Sequence, residues 1–133
     1  MPRKMLRSAG HAYRGLAYAI RTGRNIRIFI VVYILLLLLG FIINLKMLEW
    51  ISVLLSGSVF MVSELLNTAL ERLADSVDDH CKKEHGSNCF TALKHTKDIA
   101  AGSSLVILIV TIVIIVVIYG QALLPEIMNF LQR

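Results

Sequence analysis

SELLNTALERLAD, residues 63–75, continues an apolar run that begins near Trp50, yet it carries charge where a membrane helix should carry none. At about 100° per residue, Glu64, Asn67, Glu71 and Asp75 fall within one stripe roughly 80° wide. Leu65, Leu66, Ala69, Leu70 and Leu73 take the other side. The stripe runs about 16 Å along the axis at roughly 1.5 Å per residue. Ionisable groups at membrane depth are costly and face a bundle interior or a polar cavity, so they mark a functional site by default. A polar last turn on a helix leaving the bilayer accounts for Glu71 and Asp75. It accounts poorly for Glu64 and Asn67, which lie deeper.

The flanking sequence fixes the class. Of the 133 residues, 56% are hydrophobic, above the usual share of about 45–50% for soluble domains. The surplus sits in long runs, so the chain reads as an all-α integral membrane protein of one domain, residues 1–133. The formal net charge is +5. Its basic residues cluster in two places, which fits a membrane surface or phosphate groups. No nucleic-acid-binding pattern is present, and DNA or RNA is excluded as a partner.

Residues 4–22 predict an amphipathic surface helix. Met5, Leu6, Ala9, Tyr13, Leu16, Ala17 and Ile20 share one face, and Lys4, Arg7, His11, Arg14, Tyr18 and Arg21 the other. Such a helix lies in the interface plane on anionic lipid. A signal peptide is the rival for a basic segment before an apolar run. The run is too long for one, and more spans follow.

Residues 26–45 predict the first span, and 51–75 the second with its cytoplasmic extension. Trp50 is an interface anchor between them. Residues 76–96 read as a long cytoplasmic loop, with Gly86, Ser87 and Asn88 as a turn and cap. Its Cys81, His85 and Cys89 fit no common zinc spacing, and a disulfide is not expected in that compartment. Residues 100–119 predict the third span, opened by small residues where membrane helices approach closely. Gly120 is expected to end it, and Pro125 to confirm the stop. On the helix expected to begin near Cys89 and lead into this span, Lys97, Asp98 and Ala101 share a face with Lys94 by 3–4 spacing. Lys and Arg crowd residues 1–27 and 71–98, while the other side holds only Lys46 and Arg133. The N-terminus and the long loop are therefore expected to be cytoplasmic, in a multi-pass inner (plasma) membrane protein.

Carboxylates, an amide and a lysine at the cytoplasmic boundary suit phosphoryl transfer, which needs groups for Mg²⁺, a cation for phosphate oxygens and a base for a hydroxyl proton. A small oligomeric ion or proton pathway could use the same carboxylates.

SELLNTALERLAD closely resembles the E-x-x-N-[ST]-A-[IL]-E-x-x-x-D signature of the prokaryotic diacylglycerol kinases and their undecaprenol kinase relatives. KDIAAG, residues 97–102, resembles their second signature, A-K-D-x-[AG], and AGHAYRGLAYAIRTGRNIR their surface helix. The resemblance covers roughly residues 5–120. It implies a homotrimer of three-span subunits that moves the γ-phosphate of ATP to a membrane lipid alcohol, diacylglycerol or undecaprenol. Glu64 matches the catalytic carboxylate, the general base, and Asn67 the polar partner holding acceptor and base. Glu71 matches a ligand of the ATP-bound Mg²⁺, and Asp75 the acid closing the signature. Lys97 and Asp98 match the nucleotide-binding pair, with His11 and Lys4 as further nucleotide contacts. Ala101 joins Glu64 and Asn67 on the lipid side.

The family carries a second metal-binding Glu before the first span, where Gly23 stands here. The resemblance then implies Mg²⁺ held through Glu71 with phosphates and water, with reduced Mg·ATP affinity. An impaired member that binds lipid or nucleotide without efficient turnover is the alternative. Replacing Gly23 by Glu is expected to cost little stability, as for a glycine inside a helix.

Overall fold

The computed structural model describes residues 2–85 and 91–131. Four helices follow one another: α1 (Pro2–Thr22), α2 (Arg24–Ile42), α3 (Met47–His85) and α4 (Thr91–Leu131). No strand occurs among the described residues. Three helices are long and apolar enough to cross a membrane, over Arg24–Ile42, Met47–Glu84 and Leu93–Pro125.

The helix ends follow from local chemistry. Residues 43–45 leave the helix that 26–45 was expected to fill, because Asn44 is left-handed at φ 53°. The Leu45 N–H then donates to Gly40 O at 3.1 Å and the Asn44 N–H to Phe41 O at 3.4 Å. This is the Schellman arrangement, with an asparagine taking the place glycine usually holds. Two residues later, the Lys46 N–H donates to Glu49 Oε2 at 2.6 Å. Glu49 thus caps the start of α3 from its third position.

Two predicted boundaries are corrected. Residues 76–85 are not loop but the continuation of α3. Asp78–Lys82 at 2.5 Å and His80–Glu84 at 3.4 Å are i,i+4 pairs, and residues 76–85 contain no Gly or Pro. Cys89 and the expected turn at Gly86, Ser87 and Asn88 lie outside the described residues. At the other end α4 begins at Thr91 and runs through Pro125 to Leu131, past the expected stop. A proline removes one backbone hydrogen bond, and membrane helices accommodate that loss.

The main packing is α3 against α4, antiparallel, with α2 laid across the pair. Away from the charged stripe, Leu45, Val53 and Tyr119 form a buried cluster with Tyr33, Leu36, Trp50 and Ile115 around it. Two phenols tie α2 down. The Tyr33 hydroxyl donates to Val53 O at 3.0 Å, and the Tyr119 hydroxyl to Leu36 O at 2.5 Å. Phe29 meets Phe60 with ring centroids 4.4 Å apart. The outward faces of the spans remain apolar and exposed, as at Val31, Leu35, Leu55, Val106 and Val113.

At Gly57 the Tyr33 ring of α2 lies directly against α3. A Cβ there would lie 2.4 Å from ring atoms of Tyr33. Gly57→Ala is expected to push α2 off the pair and to cost about 1–3 kcal/mol, the usual range for overpacking. Gly120→Ala, where a Cβ meets nothing within 4 Å, is expected to leave stability level or slightly raised. Thermal unfolding in detergent compares the two, and equal melting temperatures would overturn the account of Gly57.

Candidate active site

Residues seven apart on an α-helix lie on nearly one line. Glu64 and Glu71 are so related on α3, and Lys97 and Ser104 on α4. Because the helices run antiparallel, the two lines meet as rungs. Thr111 Oγ1 donates to Ser56 O at 3.3 Å, Ser104 Oγ to Glu64 Oε2 at 2.5 Å, and Lys97 Nζ to Asp75 Oδ1 at 2.7 Å. The seam therefore changes from apolar to ionic along its length.

The stripe grades from buried to exposed. Glu64 is only 6% exposed, Asn67 is half-buried, and Glu71 and Asp75 are exposed. A buried carboxylate requires a hydrogen-bond partner, and Ser104, itself 3% exposed, supplies it.

Two cavities meet at Glu64 and Asn67. One, of about 530 Å³, is walled by apolar side chains of α2, α3 and α4, among them Phe29, Tyr33, Phe60, Leu108 and Ile115. Ala101 and Ser104 stand beside Glu64 and Asn67 at its polar end. The other, of about 360 Å³, is polar. Gly23, Arg24, Asn25, Glu71, Arg72 and Asp75 join Glu64 and Asn67 around it. A group with an apolar tail and a polar head fits the first, and a charged group the second. The Asn25 and Asn67 carboxamides and the Glu64 carboxylate line both cavities.

Glu64, Asn67, Glu71 and Asp75 thus converge as the stripe predicted, and Ala101 joins the apolar cavity. Lys97 reaches the group through Asp75, not as a pair with Asp98. Asp98 is exposed and lines none of these cavities. His11 and Lys4 are exposed on α1 and line none of them either; the Arg14 side chain lies 3.1 Å from His11 Nδ1. Near its end α1 approaches α3, where the Arg72 guanidinium lies 5.7 Å from the centre of the Tyr18 ring.

Sequence reasoning missed Ser104, Asn25 and Arg72. Ser104 was legible by spacing, since it follows Lys97 and Ala101 on the same face of α4. Asn25 and Arg72 had no such signal, because their place depends on how α1 and α2 join.

That junction is Gly23. It caps α2 in an extended conformation, φ −82° and ψ 111°, which any residue adopts. It lines the polar cavity together with Glu71. Its neighbours restrict it: a Cβ would stand 2.8 Å from Ala19 O, which accepts the Gly23 N–H, and 3.0 Å from Ile26 Cδ1. Gly23 is therefore not a helix-interior glycine, and the expectation that a larger residue costs little is corrected.

Among the described residues no group of three or more His, Cys, Asp or Glu is gathered to hold a metal. Glu71 and Asp75 beside a polar cavity still suit Mg²⁺, which takes one or two carboxylates and completes its shell with phosphates and water.

The prokaryotic diacylglycerol kinase family model matches residues 10–119. The undecaprenol kinase of Bacillus subtilis is 36% identical over 104 residues, 77% of each chain. The diacylglycerol kinase of Synechocystis is 29% identical over 127 residues, 96% of this chain and 66% of that protein. No solved structure gives a significant match.

Gly23→Ala is expected to lower the melting temperature by several degrees, since Ala19 O is backbone and cannot turn away; the cost is about 1–3 kcal/mol. An unchanged melting temperature would show that the junction opens freely.

Proposed function

This chain belongs to the prokaryotic diacylglycerol kinase family, and from that premise we propose that it transfers the γ-phosphate of ATP to a lipid alcohol, diacylglycerol or undecaprenol, at the cytoplasmic face of the inner (plasma) membrane. One observation carries the proposal: Glu64 and Asn67 line both the apolar and the polar cavity. A lipid enters from the bilayer side and a nucleotide from the cytosol, and their reacting ends meet at one carboxylate.

In this reading the lipid lies along the apolar cavity with its hydroxyl at Glu64. Glu64 takes the hydroxyl proton as the oxygen attacks the γ-phosphorus, and ADP departs. Asn67 holds the hydroxyl in place. Glu71, assisted by Asp75, would hold Mg²⁺, which would supply neutralisation of the phosphate charge. Lys97, fixed by Asp75, and the guanidiniums of Arg24 and Arg72 meet phosphate oxygens. Packing of α2 and α4 over Glu64 excludes water, so the acceptor hydroxyl does not compete with it. We carry α1 as an interfacial helix on the cytoplasmic leaflet, supported by its exposed Met5, Leu6 and Tyr13. A homotrimer is what the resemblance to the family implies.

An impaired enzyme is the second reading, favoured by Gly23, which leaves the polar cavity with one carboxylate fewer facing Glu71. Radiolabelled phosphate transfer from ATP to diacylglycerol and to undecaprenol in detergent micelles decides between them. Transfer to neither lipid would leave binding without turnover.

Glu64→Gln is expected to lower turnover by at least the 10²–10⁴-fold typical of a general base and to leave nucleotide binding near wild type. A variant keeping half the wild-type rate would refute the role of Glu64. Gly23→Glu is expected to lower the Mg²⁺ concentration for half-maximal transfer, at the cost in stability described above. Superimposable Mg²⁺ titrations would show that the metal does not rely on that position.

A further inference from the structure

Serines inside a helix usually turn their hydroxyls back to the carbonyl four residues earlier. Ser52, Ser58 and Ser103 do so, at 2.9, 2.7 and 2.9 Å. Ser104, next to Ser103 on α4, does not. Its hydroxyl crosses to α3 and donates to Glu64 Oε2 at 2.5 Å, although an acceptor lay within its own helix. Both side chains are buried, and both line the apolar cavity.

We propose that Ser104 is a positioning residue for the transfer reaction: its hydroxyl holds one oxygen of Glu64 and thereby aims the other at the acceptor hydroxyl. The inference rests on Glu64 being the base. A glutamate side chain has three rotatable bonds, and on an apolar wall few groups can fix them. Arg24, Glu71, Arg72 and Asp75 line the neighbouring polar cavity, and Lys97 is engaged with Asp75. None of them is recorded as an ion pair or hydrogen bond to Glu64. A carboxylate accepts through both oxygens, so the bond at Oε2 leaves Oε1 available for the proton in transfer. Ser104 touches the base and not the reacting atoms, so its effect belongs in kcat and not in acceptor binding. Small misplacements of a reacting group lower rates steeply.

The test is steady-state transfer in mixed micelles with the lipid that the wild type phosphorylates. Ser104→Ala is expected to lower kcat by about 10- to 100-fold, the worth of a hydrogen bond to a charged group, with the acceptor KM within about twofold. Ser104→Thr, which keeps the hydroxyl, is expected to restore most of kcat. In a Glu64→Gln background, Ser104→Ala is expected to cost nothing further, because the two act as a unit. Should Ser104→Ala not fold, Ser104→Cys fills the same space with a weaker donor and is expected to fall between alanine and wild type. A wild-type kcat in Ser104→Ala or Ser104→Cys would overturn the proposal. So would a raised KM at unchanged kcat, or a threonine variant no better than alanine. An inactive Glu64→Gln with a normal Ser104→Ala would sink this inference alone. An active Glu64→Gln, or a wild type inactive on both lipids, would sink the assignment of the base with it.

Discussion

A carboxylate between two membrane helices has to be paired, and this requirement sets the register of α3 against α4. Apolar side chains pack in many registers at similar energy, since lipid tails are as apolar as leucine. Polar rungs do not. Sliding α4 by one turn would part Ser104 from Glu64, Lys97 from Asp75 and Thr111 from Ser56 together. An unmet buried acceptor costs about 1–3 kcal/mol, more when charged. The three contacts lie on one side of the seam, so they are lost or kept as a set. Tyr33 and Tyr119 act similarly for α2, each ending on a backbone carbonyl of a neighbouring helix.

That register also builds the two cavities. Glu64 sits where the seam changes from apolar to ionic, with α2 over one flank and the α1–α2 junction over the other. Moving the carboxylate one turn toward Phe60 would bury it without contact to the polar cavity. Moving it one turn toward Glu71 would expose it to water. In the transfer proposed for this chain, the base has to reach a hydroxyl that arrives in hydrocarbon, beside a phosphate that arrives in water. The position of Glu64 meets both conditions.

Much of this was legible in the sequence because it is periodic. The stripe from Glu64 to Asp75 repeats at helical spacing, and the apolar runs have the length of a bilayer. Both signals survive folding, since a membrane helix satisfies its own backbone. The misread parts were those where polarity stood in for structure. Residues 76–85 are polar but contain no helix breaker, and their charges pair along the helix. Asn44, a residue that tolerates left-handed backbone, ended α2 earlier than the apolar run suggested. Ser104 was grouped with small residues for close packing, and its hydroxyl went unused in that account. Arg72 was counted only for orientation, because nothing local says that Tyr18 of α1 will lie beneath it.

Gly23 joins the fold to the chemistry. Gly23 lines the polar cavity, and a Cβ on it would be hemmed in by Ala19 O and Ile26, so the close approach of α1 to α2 and an unstrained side chain at that position exclude each other as the junction stands. A glutamate there would bring a carboxylate to the metal and push the helices apart. Without it, the polar cavity holds Glu64, Glu71 and Asp75 against Arg24 and Arg72. Under the proposed function, a metal site with one carboxylate fewer would leave more of the neutralisation of a triphosphate to guanidinium groups, which are always charged and fork onto phosphate oxygens. In the function proposed for this chain, affinity for the nucleotide and affinity for the metal then become separable.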